Sequence, residues 1–210
     1  MILERRHRFG LLFATATATC FVAIEATQAQ SGSAAPSALA RMSLEEARRF
    51  FVCRTHMSFN SGHGTQVFFV GPDGTEFLWY PGNRVIVVSK WQLVQRATSS
   101  VPPIQYADLC FQYGASTYNP VTKQQGGQWE CRPAGVVAKS TVERARGDVF
   151  GLSRRLPFIL ARDRTSIGAL QKHLQALRPN ETQPEATGEQ TCAKGVSSLT
   201  RKPSLYRIAW

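Results

Sequence analysis

No two cysteines of this chain stand in a C-x-x-C pair, so a zinc ribbon, a redox-active dithiol and a c-type haem site lose their main support. There is no G-x-S-x-G elbow, no H-E-x-x-H, no G-x-x-x-x-G-K-[ST] and no dinucleotide-type glycine pattern. Nucleophile-elbow hydrolase, zincin, phosphate-loop and Rossmann readings therefore have no anchor. No internal repeat is visible, and apart from one run near the start no segment is apolar enough to span a membrane. Acidic residues are scarce: 14 Asp and Glu face 25 Lys and Arg, for a net charge of +11. That imbalance concerns partners rather than fold, and it points to anionic ones.

Among what is there, residues 1–29 follow the secretory order. Glu4-Arg5-Arg6-His7-Arg8 gives a positive start, an apolar run follows from Phe9 to Ile24, and Thr27-Gln28-Ala29 offers the small residues of a cleavage site. The competing reading is a membrane anchor, but the run falls short of the roughly 20 residues needed to cross a bilayer. Thr17-Ala18-Thr19 lacks the residues a lipoprotein site places before its cysteine, so Cys20 is set aside. Arg5-Arg6 keeps twin-arginine export as a minor option. The expected location is periplasmic or secreted, after cleavage near Ala29. The remainder carries 22 basic and 12 acidic residues, or +10.

Cleavage leaves Cys53, Cys110, Cys131 and Cys192. Four cysteines in an oxidising compartment imply two bridges, with three connectivities open. The polar, Gly-rich stretch 114–128 reads as an exposed loop between strands at Ile104–Tyr113 and Trp129–Arg132. A Cys110–Cys131 bridge would close that loop and tie the two strands, which leaves Cys53–Cys192 by elimination.

The expected fold class is α+β: an antiparallel meander or barrel-like sheet, disulfide-stapled, with an N-terminal and a C-terminal helix. Residues 30–42 read as a flexible lead-in, 43–178 as one globular domain, and 179–210 as a loose tail ending in a docking strand. Ser43-Leu44-Glu45-Glu46 is a capping box, and Leu44, Ala47, Phe50 and Phe51 form one apolar face ending near Cys53. Strands are predicted at Gln66–Val70, Thr75–Tyr80 and Arg84–Val88, with turns at Gly71–Gly74 and Pro81–Asn83. A fourth strand follows at Trp91 and Leu93. Phe77 and Trp79 oppose Leu78 and Tyr80, so both faces of this sheet need covering. Phe158–Leu160 reads as another buried strand. Thr165 or Ser166 caps a final helix with Ile167, Leu170, Leu174 and Leu177 on one side, stopped by Pro179.

The stretch Ser89–Ala134 carries Trp91-Gln92-Leu93, then Asp108-Leu109-Cys110-Phe111-Gln112-Tyr113, then Trp129-Glu130-Cys131-Arg132. It resembles small exported bacterial proteins known only as domains of unknown function. The resemblance implies export, a meander and the Cys110–Cys131 pairing. It implies no activity.

Three constellations bear on function. His56 and His63 flank a Ser/Asn/Gly-rich stretch and would serve a metal or a catalytic base, but no third or fourth ligand lies nearby; they are expected as surface-loop histidines. Asp73 and Asp108 could act as acid or base with Glu76 or Glu130, though paired carboxylates need a separation that sequence does not give. Residues 139–178 hold nine basic and three acidic side chains, among them Arg144, Arg146, Arg154, Arg155, Arg162 and Arg164. Arginine's planar fork suits phosphate and carboxylate, so these six are the candidate contacts to an anionic partner. The aromatics Phe68, Phe69, Phe77, Trp79 and Tyr80 are expected in the core rather than on a sugar-binding platform. Asn180-Glu181-Thr182 is read as a chance glycosylation triplet.

The leading expectation is a non-catalytic binding or structural protein whose partner is an anionic envelope polymer, a lipid headgroup or a protein. Nucleic acid is disfavoured for an exported chain, and neither cofactor nor metal is expected. The alternatives are an envelope-polymer hydrolase with a site near His56 and His63, and an inhibitor or chaperone of an envelope enzyme.

Overall fold

The computed structural model describes residues 41–179 and Cys192. The leader with Cys20 and Ala29, the lead-in up to residue 40, the Asn180–Thr182 triplet and the closing segment Leu205–Trp210 lie outside the described residues. Helix α1 spans Leu44–Phe51, and its capping box forms: Glu46 N–H donates to the Ser43 hydroxyl while Ser43 N–H donates to the Glu46 carboxylate at 2.8 Å. Such a cap stabilises by about 1 kcal/mol. The chain then reverses through Cys53, whose φ of 58° is left-handed. Phe51-Val52-Cys53 therefore ends a helix and does not open a strand.

Among the described residues, seven strands form one antiparallel sheet, curled into a half-barrel. They are β1 (Arg54–Asn60), β2 (Gly64–Val70), β3 (Thr75–Trp79), β4 (Val87–Ala97), β5 (Gln105–Tyr113), β8 (Trp129–Pro133) and β9 (Thr141–Arg146). Their spatial order is β8-β5-β4-β3-β2-β1-β9. The first five make a meander, in which β2 to β5 are expected from the sequence and β1 is not. The 114–128 loop holds only a two-residue hairpin, β6 (Tyr118–Asn119) with β7 (Gln124–Gln125). Helices α2 (Ala134–Ser140) and α3 (Ile167–Leu177) are the other named helices among the described residues. Ser166 caps α3 by accepting from Ala169 N–H at 3.1 Å.

Four sequence expectations need correction. Arg54–Asn60 is a strand, not a loop, and only Ser61–His63 turn. Arg84–Ile86 is not a strand: Gly82 N–H donates to the Leu160 carbonyl and Asn83 N–H to Tyr80, which prolongs the turn, so β4 starts at Val87 and absorbs the fourth strand. Val85 and Val88 are consequently exposed. Phe158–Leu160 is irregular backbone rather than a strand. Finally, β9 occupies a part of the stretch 139–178 that is read only for its charge, and α2 lies mostly before that stretch, where no element is expected.

Both sheet faces are covered, as their double apolar pattern requires. On one, Phe51 and Ala47 of α1 and Ala134 of α2 pack with Phe68, Leu78 and Leu109. On the other, Phe150, Leu152 and Leu160 of the irregular segment and Leu170 of α3 pack with Phe69 and Trp79. Trp79 is fully buried, and its indole N–H donates to the Phe158 carbonyl at 2.9 Å. That bond pins the irregular segment to the sheet without leaving a polar group unpaired. A second pin lies at Gly64, where Thr65 N–H donates to the Arg162 carbonyl at 3.2 Å. A Cβ at Gly64 would sit 2.6 Å from that carbonyl oxygen, and φ is +80°, so only glycine fits.

Two disulfides staple the assembly. Cys110 and Cys131 face each other directly across β5 and β8, with Cα atoms 4.0 Å apart. Cys53 joins Cys192 at 5.7 Å between Cα atoms, with Cys192 buried in the second core. Their sequence separations of 21 and 139 differ widely. In the chain-entropy model the shorter closure stabilises by about 3 kcal/mol and the longer by about 5 kcal/mol. Denaturant titration of C110A/C131A and C53A/C192A is thus expected to show the larger loss in the second variant. Equal midpoints for both variants and the parent would contradict this ledger.

Candidate functional site

The sheet face under α1 carries the buried His56 and Glu76. His56 is fully buried on β1, opposite Phe68 on one side and Arg144 on the other. Its ring stacks on Phe68 at 5.0 Å and Phe50 at 5.6 Å, and lies 5.2 Å from Phe51. Its Nε2 meets the Phe51 carbonyl at 3.1 Å, while Nδ1 has no partner. Burial pulls its pKa down to about 4, with nearby Arg144 and Arg54 acting in the same direction against the Phe51 bond. His56 is thus a neutral core side chain and not a surface-loop residue. The alternation of apolar Met57 and Phe59 with His56 and Ser58 was the available strand signal.

One row of the ladder places Val70, Glu76, Ser89 and Tyr113 side by side on β2 to β5. Glu76 is 1% exposed, and the Ser89 hydroxyl donates to its Oε2. Burial pushes its pKa up to about 8, with the serine bond pulling the other way. Tyr113 is pushed well above its ordinary value by burial first and then by Glu76 and Glu130. Glu76 is therefore a protonated core group at neutral pH. Of the other carboxylates considered from the sequence, Glu130 on β8 shares the Tyr113 neighbourhood, while Asp108 pairs with Arg96 at 3.1 Å and Asp73 accepts from Thr75 N–H within its own turn. His63, at the β1–β2 turn, meets the Tyr80 hydroxyl at 2.9 Å and is lowered by burial and then by Arg162 and Arg132. Phe68, Phe69 and Trp79 lie in the core, and Phe77 and Tyr80 are half-buried against it. Among the described residues, no cluster of three or more His, Cys, Asp or Glu side chains could hold a metal ion.

The six candidate arginines are all exposed but occupy three places. Arg144 and Arg146 sit on edge strand β9, beside Arg54 at the start of β1. Arg154 and Arg155 lie on the turn after Phe150. Arg162 and Arg164 lie by the β1–β2 turn, where Arg162 donates to the Gly62 carbonyl and Arg164 stands 5.3 Å over Phe59. The six residues of rise along β1 between Arg54 and Asn60 put about 20 Å between the first and last pairs. Arg54 is the contact the sequence reading missed. It lies outside the basic stretch, and only the β1–β9 pairing brings it in. Its pKa is lowered by burial and then by Arg144 and Arg146.

Those three guanidiniums have no carboxylate at ion-pair distance among the described residues, where the ion pairs are Arg49–Glu45 and Arg96–Asp108. Arg54 instead donates to the Arg49 carbonyl at 3.1 Å, and Arg144 lies 4.1 Å over the Phe50 ring. The β9 carboxylate, Glu143, serves the opposite face by accepting from Ile167 N–H at 2.9 Å. Three like charges side by side repel, and a bound anion would relieve that repulsion. A shallow groove of about 310 Å³ lies elsewhere, between α3 and the irregular segment, lined by Phe158, Leu160, Arg164, Leu170 and His173 among others. No protein-family model, curated protein or solved structure matches the chain.

The two buried groups set a pH profile. Glu76 has a raised pKa in the fold, so its contribution is whole below 4.5 and is lost as pH rises through about 8. His56 has a lowered one, so its contribution is whole above 6.5 and is lost as pH falls through about 4. Between 4.5 and 6.5 these two slopes oppose each other while the lowered His63 adds to the rise, and from 6.5 to 8 Glu76 acts alone. Stability is expected to fall by about 2 kcal/mol between pH 6.5 and 8. Urea titrations at these pH values check it, and E76Q should abolish the fall; an unchanged fall in E76Q would assign it elsewhere.

Proposed function

We propose that this chain is an exported, non-catalytic binding protein whose basic sheet edge docks an anionic partner of the cell envelope. The Arg54, Arg144 and Arg146 cluster carries this reading, because it is charged, exposed at β9 and without a carboxylate at ion-pair distance among the described residues. Guanidinium forks are suited to phosphate and carboxylate oxygens. Export is supported by the secretory order of residues 1–29 and by two disulfides, which persist in oxidising compartments. Among the described residues no helix is long and apolar enough to cross a membrane.

The hydrolase reading draws nothing from His56, which no substrate can reach. His63 is bonded to Tyr80, with no carboxylate to orient it among its hydrogen bonds.

On a dextran sulfate column the chain is expected to bind at low salt and elute as salt screens the contact. R144Q/R146Q should elute at clearly lower salt than K90Q/K172Q, which removes the same charge from β4 and α3. Equal elution of the two variants would reduce the site to net charge and sink the proposal.

A further inference from the structure

The guanidinium cluster has apolar neighbours that a soluble polyanion would not need. Val142, two residues before Arg144 on β9, is 42% exposed, and so is Val136 on α2, the helix that runs directly into β9. Lys139 and Ser140 follow Val136 at the three- and four-residue spacing that shares a helix face, and both are exposed. Phe50, half-buried under Arg144, adds an aromatic ring at the same edge. The carboxylates of α1 are already engaged, Glu45 with Arg49 and Glu46 with Ser43. Small exposed apolar groups set among Arg and Lys are what an anionic bilayer surface rewards, since the cations meet headgroup phosphates while the apolar groups enter the acyl boundary.

We infer that the α2–β9 edge is a peripheral membrane-docking surface, with Arg54, Arg144, Arg146 and Lys139 on the phosphates of anionic lipids and Val136 and Val142 entering the interface. This rests on the anionic-partner reading above and narrows the partner to a lipid surface. The contact is reversible, because two valines bury too little to anchor a protein.

Co-sedimentation separates the two readings. The full chain, V136S/V142S and R144Q/R146Q are mixed with vesicles of phosphatidylcholine alone and of phosphatidylcholine with one-third phosphatidylglycerol. The parent is expected to favour the anionic vesicles. Each variant should bind them more weakly, by about tenfold for the valine pair. On dextran sulfate, V136S/V142S should elute with the parent. Equal sedimentation of parent and V136S/V142S overturns the membrane inference. Retention on dextran sulfate with no preference for anionic vesicles overturns it too, and leaves the anionic-partner proposal standing. Loss of both overturns both.

Discussion

A sheet that is apolar on both sides must find cover twice, and the rest of this structure follows from that constraint. Phe68 and Leu78 face one way while Phe69 and Trp79 face the other. One cover is regular, made by α1 and α2. The other is mostly irregular chain between Phe150 and Thr165, whose backbone polar groups need partners once it lies on a core. Trp79, Thr65 and Gly82 supply them, through Phe158, Asp163 and Leu160 respectively. The Cys53–Cys192 bridge ties the start of β1 to the same second core.

Much of this was legible in the residues. The Ser43–Glu46 capping box, the Pro72-Asp73-Gly74 turn, the exposed 114–128 loop and the two-sided apolarity of β2 and β3 are local signals, and local physics decides them. The Cys53–Cys192 pairing followed by elimination and the Cys110–Cys131 pairing from loop closure. What escaped was set by partners distant in sequence. β1 looks like a loop because His56 and Ser58 are polar, yet a stack of phenylalanines makes a neutral imidazole tolerable in the core. β9 has only six residues, half of them charged, and becomes a strand by pairing with β1. Phe158–Leu160 reads as a strand by composition, but its backbone bonds go to an indole and a turn rather than to a ladder.

The same packing sorted the candidate functional residues. His56 and Glu76, the most chemically suggestive side chains, went into the core, where burial holds both uncharged near neutrality. The arginines stayed outside, and the topology divided them. An edge strand studded with charge also discourages pairing with another sheet, so Arg144 and Arg146 serve the fold as well as any partner. Arg54 joins them only because β9 returns beside β1 after some eighty residues of chain.

Native-state hydrogen exchange on the disulfide-intact chain tests the doubly covered sheet most directly. The account predicts that the amides of Val67–Val70 and Phe77–Trp79 exchange only through global unfolding, and that the Thr65 and Gly82 amides, which hold the irregular cover, are protected well above the 114–128 loop. Free exchange at Thr65 and Gly82, or loop-like rates in β2 and β3, would mean that one face is open and would contradict it.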